Sequence, residues 1–267
     1  MRHRGWFTAL TALALAATLA FLVLPIVAMF LEVGIAEILR SLGGSGAREA
    51  LALSIRTTVI AMVVILVVGT PTAYLLGTRS FRGHSLLVTL IELPLVLPPA
   101  VAGIALLAAL GPSGVLGSLL GDAGIRLVFE TTGVVVALVF VASPFYIRQA
   151  MTAFAALDPT VLEAARTLGA GEARTFVRVA IPGARPGLFS GTALAWGRAL
   201  GEFGATLIFA GSLAGVTQTA PLAIAERFAT DFNGAVALSA VLVALSAALL
   251  LAVKLVGGST ALPRASG

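Results

Sequence analysis

Residues 158–169 read Asp158-Pro159-Thr160-Val161-Leu162-Glu163-Ala164-Ala165-Arg166-Thr167-Leu168-Gly169, and nine residues later the chain continues Val179-Ala180-Ile181-Pro182. Asp158 is a favourable N-cap, because its carboxylate accepts a hydrogen bond from a free N–H of the first turn. Pro159 suits the first helical position, where no N–H is needed. Gly169 marks the end, since the left-handed conformation that closes a helix is cheap only for glycine. The spacing predicts a short capped helix, a tight turn, and a second helix ending near Pro182. The surrounding segment, 158–185, is long and polar in a chain that is otherwise apolar.

Outward from this segment the composition fixes the solvent. Of 267 residues 59% are hydrophobic and 11% are charged, with a mean hydropathy of +1.06. Soluble domains carry about 25% charged residues, and a soluble fold could not hide this much apolar surface. A helix crosses the hydrocarbon core with about 20 mainly apolar residues. Six stretches qualify: 7–31, 55–76, 85–110, 133–154, 186–210 and 235–256. The run at 7–31 exceeds the roughly 7–15 residues of a secretory signal core, so it reads as an uncleaved first span. The expectation is an all-α integral membrane protein of about six transmembrane helices. It forms a single transmembrane domain, 1–267, in which 1–50 hold the first span and its outer loop.

The charges orient these spans. With the N-terminus in the cytoplasm, Arg2, Arg4, Arg79, Arg82, Arg148, Arg166, Arg174, Arg178, Arg185, Lys254 and Arg264 fall inside. Arg40, Arg48, Arg56, Arg126 and Arg227 fall outside or at the outer edge, and Arg198 lies within a span. Basic residues collect in cytoplasmic loops, so both termini are expected in the cytoplasm. The net charge of +5 then reflects topology and not nucleic-acid binding. The segment 158–185 is the one sizeable cytoplasmic feature, and a cytosolic partner would have to bind there.

Several chemistries are excluded. There is no cysteine, and His3 and His84 have no second strong ligand nearby in sequence, so no metal site is expected. No phosphate-binding loop occurs, and the only lysine is Lys254. Any ATPase must be a separate polypeptide. Neither a His-Glu-x-x-His pair nor a Gly-x-Ser-x-Gly elbow is present, which leaves a membrane-embedded enzyme without machinery.

Two spans are not uniform. The third contains Glu92-Leu93-Pro94-Leu95-Val96-Leu97-Pro98-Pro99. Its prolines free backbone carbonyls and bend the helix, either for packing or to shape a pathway. Glu92 is placed in the inner half, where it is expected to pair with a partner. The fifth contains Trp196-Gly197-Arg198-Ala199-Leu200-Gly201-Glu202. Arg198 and Glu202 are spaced i, i+4 and can neutralise one another, as a structural pair or as one that orders a gate. Gly187/Gly191 and Gly197/Gly201 form two small-xxx-small pairs that permit close helix packing. Ser190, Thr192 and Thr206 are candidate hydroxyl contacts.

The segment 158–182 resembles the coupling motif of binding-protein-dependent ABC importers: Glu-Ala-Ala, three residues, Gly, nine residues, Ile-x-Leu-Pro. Val179 replaces the usual Ile and Ile181 the usual Leu. The resemblance implies a type I ABC importer permease fold, with 51–256 as the core permease domain and 158–182 as the cytoplasmic coupling loop. Asp158, Glu163, Ala164, Ala165, Gly169 and Pro182 would then serve coupling to the ATPase. Glu92-Leu-Pro-Leu-Val-Leu-Pro-Pro99, Ser143-Pro-Phe-Tyr-Ile-Arg-Gln-Ala150, Arg198-Ala-Leu-Gly-Glu-Phe-Gly-Ala-Thr206 and Thr217-Gln-Thr-Ala-Pro-Leu-Ala-Ile224 resemble molybdate/tungstate permeases, with sulfate permeases as close relatives. What this implies is a homodimer in the prokaryotic cytoplasmic (inner) membrane, two ATP-binding cassette subunits that bind ATP and Mg, and an extracytoplasmic binding protein delivering a tetrahedral oxyanion. The chain itself would carry no cofactor and import by alternating access. An ion-coupled secondary transporter is the rival class.

Overall fold

The computed structural model describes residues 3–256. Arg2, Arg264 and the two chain ends assigned to the cytoplasm lie outside the described residues. In chain order the helices are α1 (His3–Glu32), α2 (Ile35–Gly43), α3 (Ser45–Thr78), α4 (His84–Val96), α5 (Pro99–Leu110), α6 (Gly117–Asp122), α7 (Thr131–Ala155), α8 (Pro159–Thr167), α9 (Glu172–Thr175), α10 (Ile181–Leu200), α11 (Gly204–Ala210), α12 (Ala220–Phe228) and α13 (Phe232–Val256). A π-helical turn, Phe176–Ala180, joins α9 to α10. No strand occurs among the described residues.

Among the described residues α1, α3, α7 and α13 are long and apolar enough to cross a bilayer singly. α4 and α5 qualify only as a pair, bent by 118°. Leu97 and Pro98 are both extended (ψ 130° and 138°), because the residue before a proline is pushed out of the helical region. The fifth expected stretch is divided between α10 and α11 at Gly201–Phe203. It nevertheless lies along α7 for that helix's whole length. Gly187 sits against Ala153 at one end, and Gly133 faces Ala210 at the other.

The centre of the bundle is α3, α7 and α10, with Met62, Ile65, Leu138, Tyr146, Phe154 and Ala195 in its core. Small residues set the spacing, as membrane helices require when apolar burial gives no net attraction. A Cβ on Gly77 would lie 2.6 Å from the Met151 carbonyl, and one on Gly187 would strike the Ala153 side chain. Of the two small pairs, Gly187/Gly191 packs on α7, whereas Gly197 faces open space. Thr70 Oγ1 and the Tyr146 hydroxyl hydrogen-bond at 2.6 Å between α3 and α7. α1 stands apart, with Phe21 78% exposed; so large an apolar surface is stable only when lipid or protein covers it.

The helix expected to end near Pro182 does not end there. α9, the π turn and α10 form one continuous rod, with Pro182 in the first turn of α10. A proline inside a helix removes a donor and clashes with the preceding turn. The π turn, in which the Ile181 N–H donates to the Phe176 carbonyl, widens that turn and accommodates it.

Candidate functional site

Two features stand out, one within the helical bundle and one at an end of it. The first is built where the two broken helices meet. Gly204, which opens α11, abuts Pro99, which opens α5: a Cβ at Gly204 would lie 2.7 Å from the Pro99 Cβ. Beside this contact is an open cleft of about 460 Å³ lined by residues that include Leu97, Pro99, Phe145, Arg198, Glu202 and Phe203.

The break at Gly201–Phe203 leaves the first N–H groups of α11 without helical partners. Glu202 supplies one, its Oε1 accepting from the Ala205 N–H at 2.7 Å. Its Oε2 meets Arg198 Nη2 at 2.5 Å. The Glu202 side chain is 1% exposed and that of Arg198 26%. The carboxylate is therefore withdrawn into protein, while the guanidinium spans from it to the cleft. The pair neutralises the charge and fixes the helix break together.

Of the residues singled out in sequence, the structure brings Pro99, Arg198 and Glu202 into one cleft, with Pro98 forming the bend beside it. Ser190, Thr192 and Thr206 do not line it. Thr192 donates to its own Leu188 carbonyl at 2.8 Å, Ser190 is exposed on α10, and Thr206 is wholly buried with no partner for its hydroxyl. Glu92 pairs with Arg148 of α7 at 3.5 Å, tying α4 to α7 outside the cleft. Phe145 carries no signal in the sequence beyond its place in the Ser143-Pro-Phe-Tyr segment.

The second feature is α8. Asp158 Oδ1 accepts from the Thr160 N–H at 2.9 Å, and this bond holds its carboxyl below the usual carboxylate range. At the other end Gly169, with φ +85°, lets the chain turn back. Its N–H donates to the Arg166 carbonyl and that of Ala170 to Ala165, at 2.9 and 3.0 Å, the double closure of a Schellman ending. Leu162 is the buried residue of α8. Glu163, Ala164, Val161 and Leu168 are exposed, Leu168 at 88%. Capping at both ends satisfies backbone groups that so short a helix would otherwise leave open.

Residues 69–258 match the family described as "Binding-protein-dependent transport system inner membrane component". The chain is 38% identical over 250 residues to "Probable transport system permease protein NifC" of Clostridium pasteurianum, covering 93% of this chain and 86% of the relative. It is 40% identical over 237 residues to "Molybdenum transport system permease protein ModB" of Mycobacterium tuberculosis, covering 89% and 90%. It is 34% identical over 248 residues to "Sulfate transport system permease protein CysW" of Synechocystis, covering 92% and 90%. Among solved structures, a bacterial ABC transporter involved in the import of the acidic polysaccharide alginate superposes with a TM-score of 0.76 at 14% identity, covering 95% of this chain and 96% of that one; this likeness is one of fold. The chain belongs to the binding-protein-dependent transport system inner membrane components, the permease subunits of ABC transporters.

Proposed function

We propose that this permease imports a tetrahedral oxyanion, molybdate or tungstate, by alternating access, as a homodimer with two ATP-binding cassette subunits and an extracytoplasmic binding protein. The observation that carries the choice of anion is the 40% identity to a molybdenum permease over 89% of the chain, a span that takes in most of the described helices. ATP and Mg belong to the partner subunits. α8 is the element that docks on them, and the distribution of basic residues supports a cytoplasmic position for it and for both termini.

The geometry suggests how a movement at α8 could reach the membrane. From Glu172 to Leu200 the chain is one helical rod, about 43 Å at the usual rise per residue. Its cytosolic end adjoins α8, and its far end carries Arg198 into the cleft. Displacement of α8 would shift the α10–α11 break against the α4–α5 bend. The cleft offers one paired cation among Leu, Pro, Phe and Gly residues, which suits a route that passes an anion without holding it.

The similarity to a sulfate permease, 34% over 92% of the chain, supports a second reading with sulfate as cargo. Uptake into proteoliposomes holding the permease, its ATPase and its binding protein separates the two. Labelled molybdate accumulates with ATP, and excess tungstate competes while excess sulfate does not. Accumulation of labelled sulfate unaffected by molybdate would replace the first reading by the second.

A further inference from the structure

We propose that Glu172 is a positioning residue that carries the movement of α8 to the cytoplasmic end of α3, acting through Arg79; this rests on the coupling role given to α8 above. Glu172 is the first residue of α9, and its carboxylate is shared by two arginines from different elements. Arg166 of α8 approaches as a fork, Nε to Oε1 at 3.1 Å and Nη2 to Oε2 at 3.4 Å. Arg79, the residue that caps the C-terminal end of α3, reaches Oε2 at 3.2 Å. One carboxylate thus ties α8, the α9–α10 rod and the end of a 34-residue span.

α8 has few other attachments. Besides its chain connections to α7 and to the Gly169 turn, it is held to the body through Leu162, its one buried side chain. The neighbouring aromatic contact, Tyr74 on Phe176 at 4.8 Å between ring centres, links α3 to the rod but bypasses α8. Arg79–Glu172 is the polar tie through which a shift of α8, held by Arg166 on the same carboxylate, reaches the residue that caps α3. Both members of the pair are about half exposed, and exposed ion pairs add little to stability. A purely structural role therefore predicts almost no consequence of removing it, whereas a role in transmission predicts a loss of coupling.

The test is a double-mutant cycle on the complete complex in proteoliposomes, read as oxyanion moved per ATP hydrolysed, with melting temperature measured alongside. Glu172→Gln and Arg79→Gln should each lower that ratio at least about threefold with melting unchanged. The double variant should be no worse than Glu172→Gln alone, because that change already removes the Arg79 link. Arg79→Lys, which keeps the charge, should retain most of the ratio. Wild-type ratios in both single variants would overturn the inference, as would losses that multiply in the double variant or an ATPase rate that falls in step with transport. A wild-type complex that moves the anion without hydrolysing ATP would instead overturn the coupling reading on which the inference stands.

Discussion

Truncating Arg198 should destabilise the α10–α11 break more than any other single change at the cleft. The Arg198 Nη2 to Glu202 Oε2 distance is 2.5 Å and the carboxylate is 1% exposed. At an effective dielectric near 20 the attraction at that distance is about 7 kcal/mol, opposed by the cost of taking the carboxylate out of water. Arg198→Ala removes the attraction and leaves that cost. Breaking a buried pair in this way typically costs about 3–5 kcal/mol. Partial exposure of Arg198 (26%) lets water reach the vacated site, so the lower end applies, about 3 kcal/mol, or a fall in melting temperature of roughly 6–12 °C. Glu202→Gln retains an oxygen for the Ala205 N–H and strands a guanidinium that water can reach, at a cost of about 1–2 kcal/mol. The double variant Arg198→Met/Glu202→Gln should be more stable than Arg198→Ala alone. Thermal unfolding of the purified permease in detergent measures all three. Arg198→Ala melting with the wild type, or single losses that simply add, would refute a pair that neutralises a buried carboxylate.

Glycine contacts give a second prediction. Gly187→Ala drives a Cβ into Ala153 and should cost about 1–3 kcal/mol, while Gly46→Ala in the first turn of α3 meets nothing and should be neutral or stabilising by up to about 1 kcal/mol; melting of the two variants checks the contrast. At Gly169, φ +85° makes any side chain strained by about 1–2 kcal/mol. Gly169→Asp should insert and assemble normally yet hydrolyse ATP without transport, and Gly169→Asn should be milder; normal uptake by the Asp variant contradicts the role of α8. Finally, the Asp158 carboxyl is held below its ordinary range by the Thr160 N–H. Its cap is present at pH values above the usual carboxylate range and is lost as pH falls through the lowered value. Proteolysis of the 158–170 loop should accelerate in acid, and Asp158→Asn, which caps without titrating, should remove that pH dependence.

The parts legible in sequence were those set by local rules. Asp158, Pro159 and Gly169 announce the ends of α8 through capping chemistry that needs no tertiary context, and the structure follows them closely. Apolar runs at 7–31, 55–76, 133–154 and 235–256 each become one helix, though α3 begins at Ser45, ten residues before its apolar run. Interrupted runs were less readable. Pro98 and Pro99 signal a bend, but its size, 118° between α4 and α5, goes with Pro99 lying against Gly204, a contact across 105 positions of chain that no local pattern announces. The break at Gly201–Phe203 had only Gly201 as a marker, and glycines within spans more often serve packing. Pro182 misled in the opposite direction, since a π turn absorbs it. Arg198 and Glu202 paired as their spacing suggested, whereas Glu92–Arg148 and Arg79–Glu172 join distant segments that no local pattern connects.

The central claim is that α8 couples this permease to a separate ATPase. It is tested most directly by reconstituting the purified chain with and without that subunit and its binding protein, and following labelled molybdate into sealed vesicles. The account predicts accumulation only when all three proteins and hydrolysable ATP are present, with no response to an imposed proton or sodium gradient. Accumulation by the chain alone, driven by such a gradient, would contradict it.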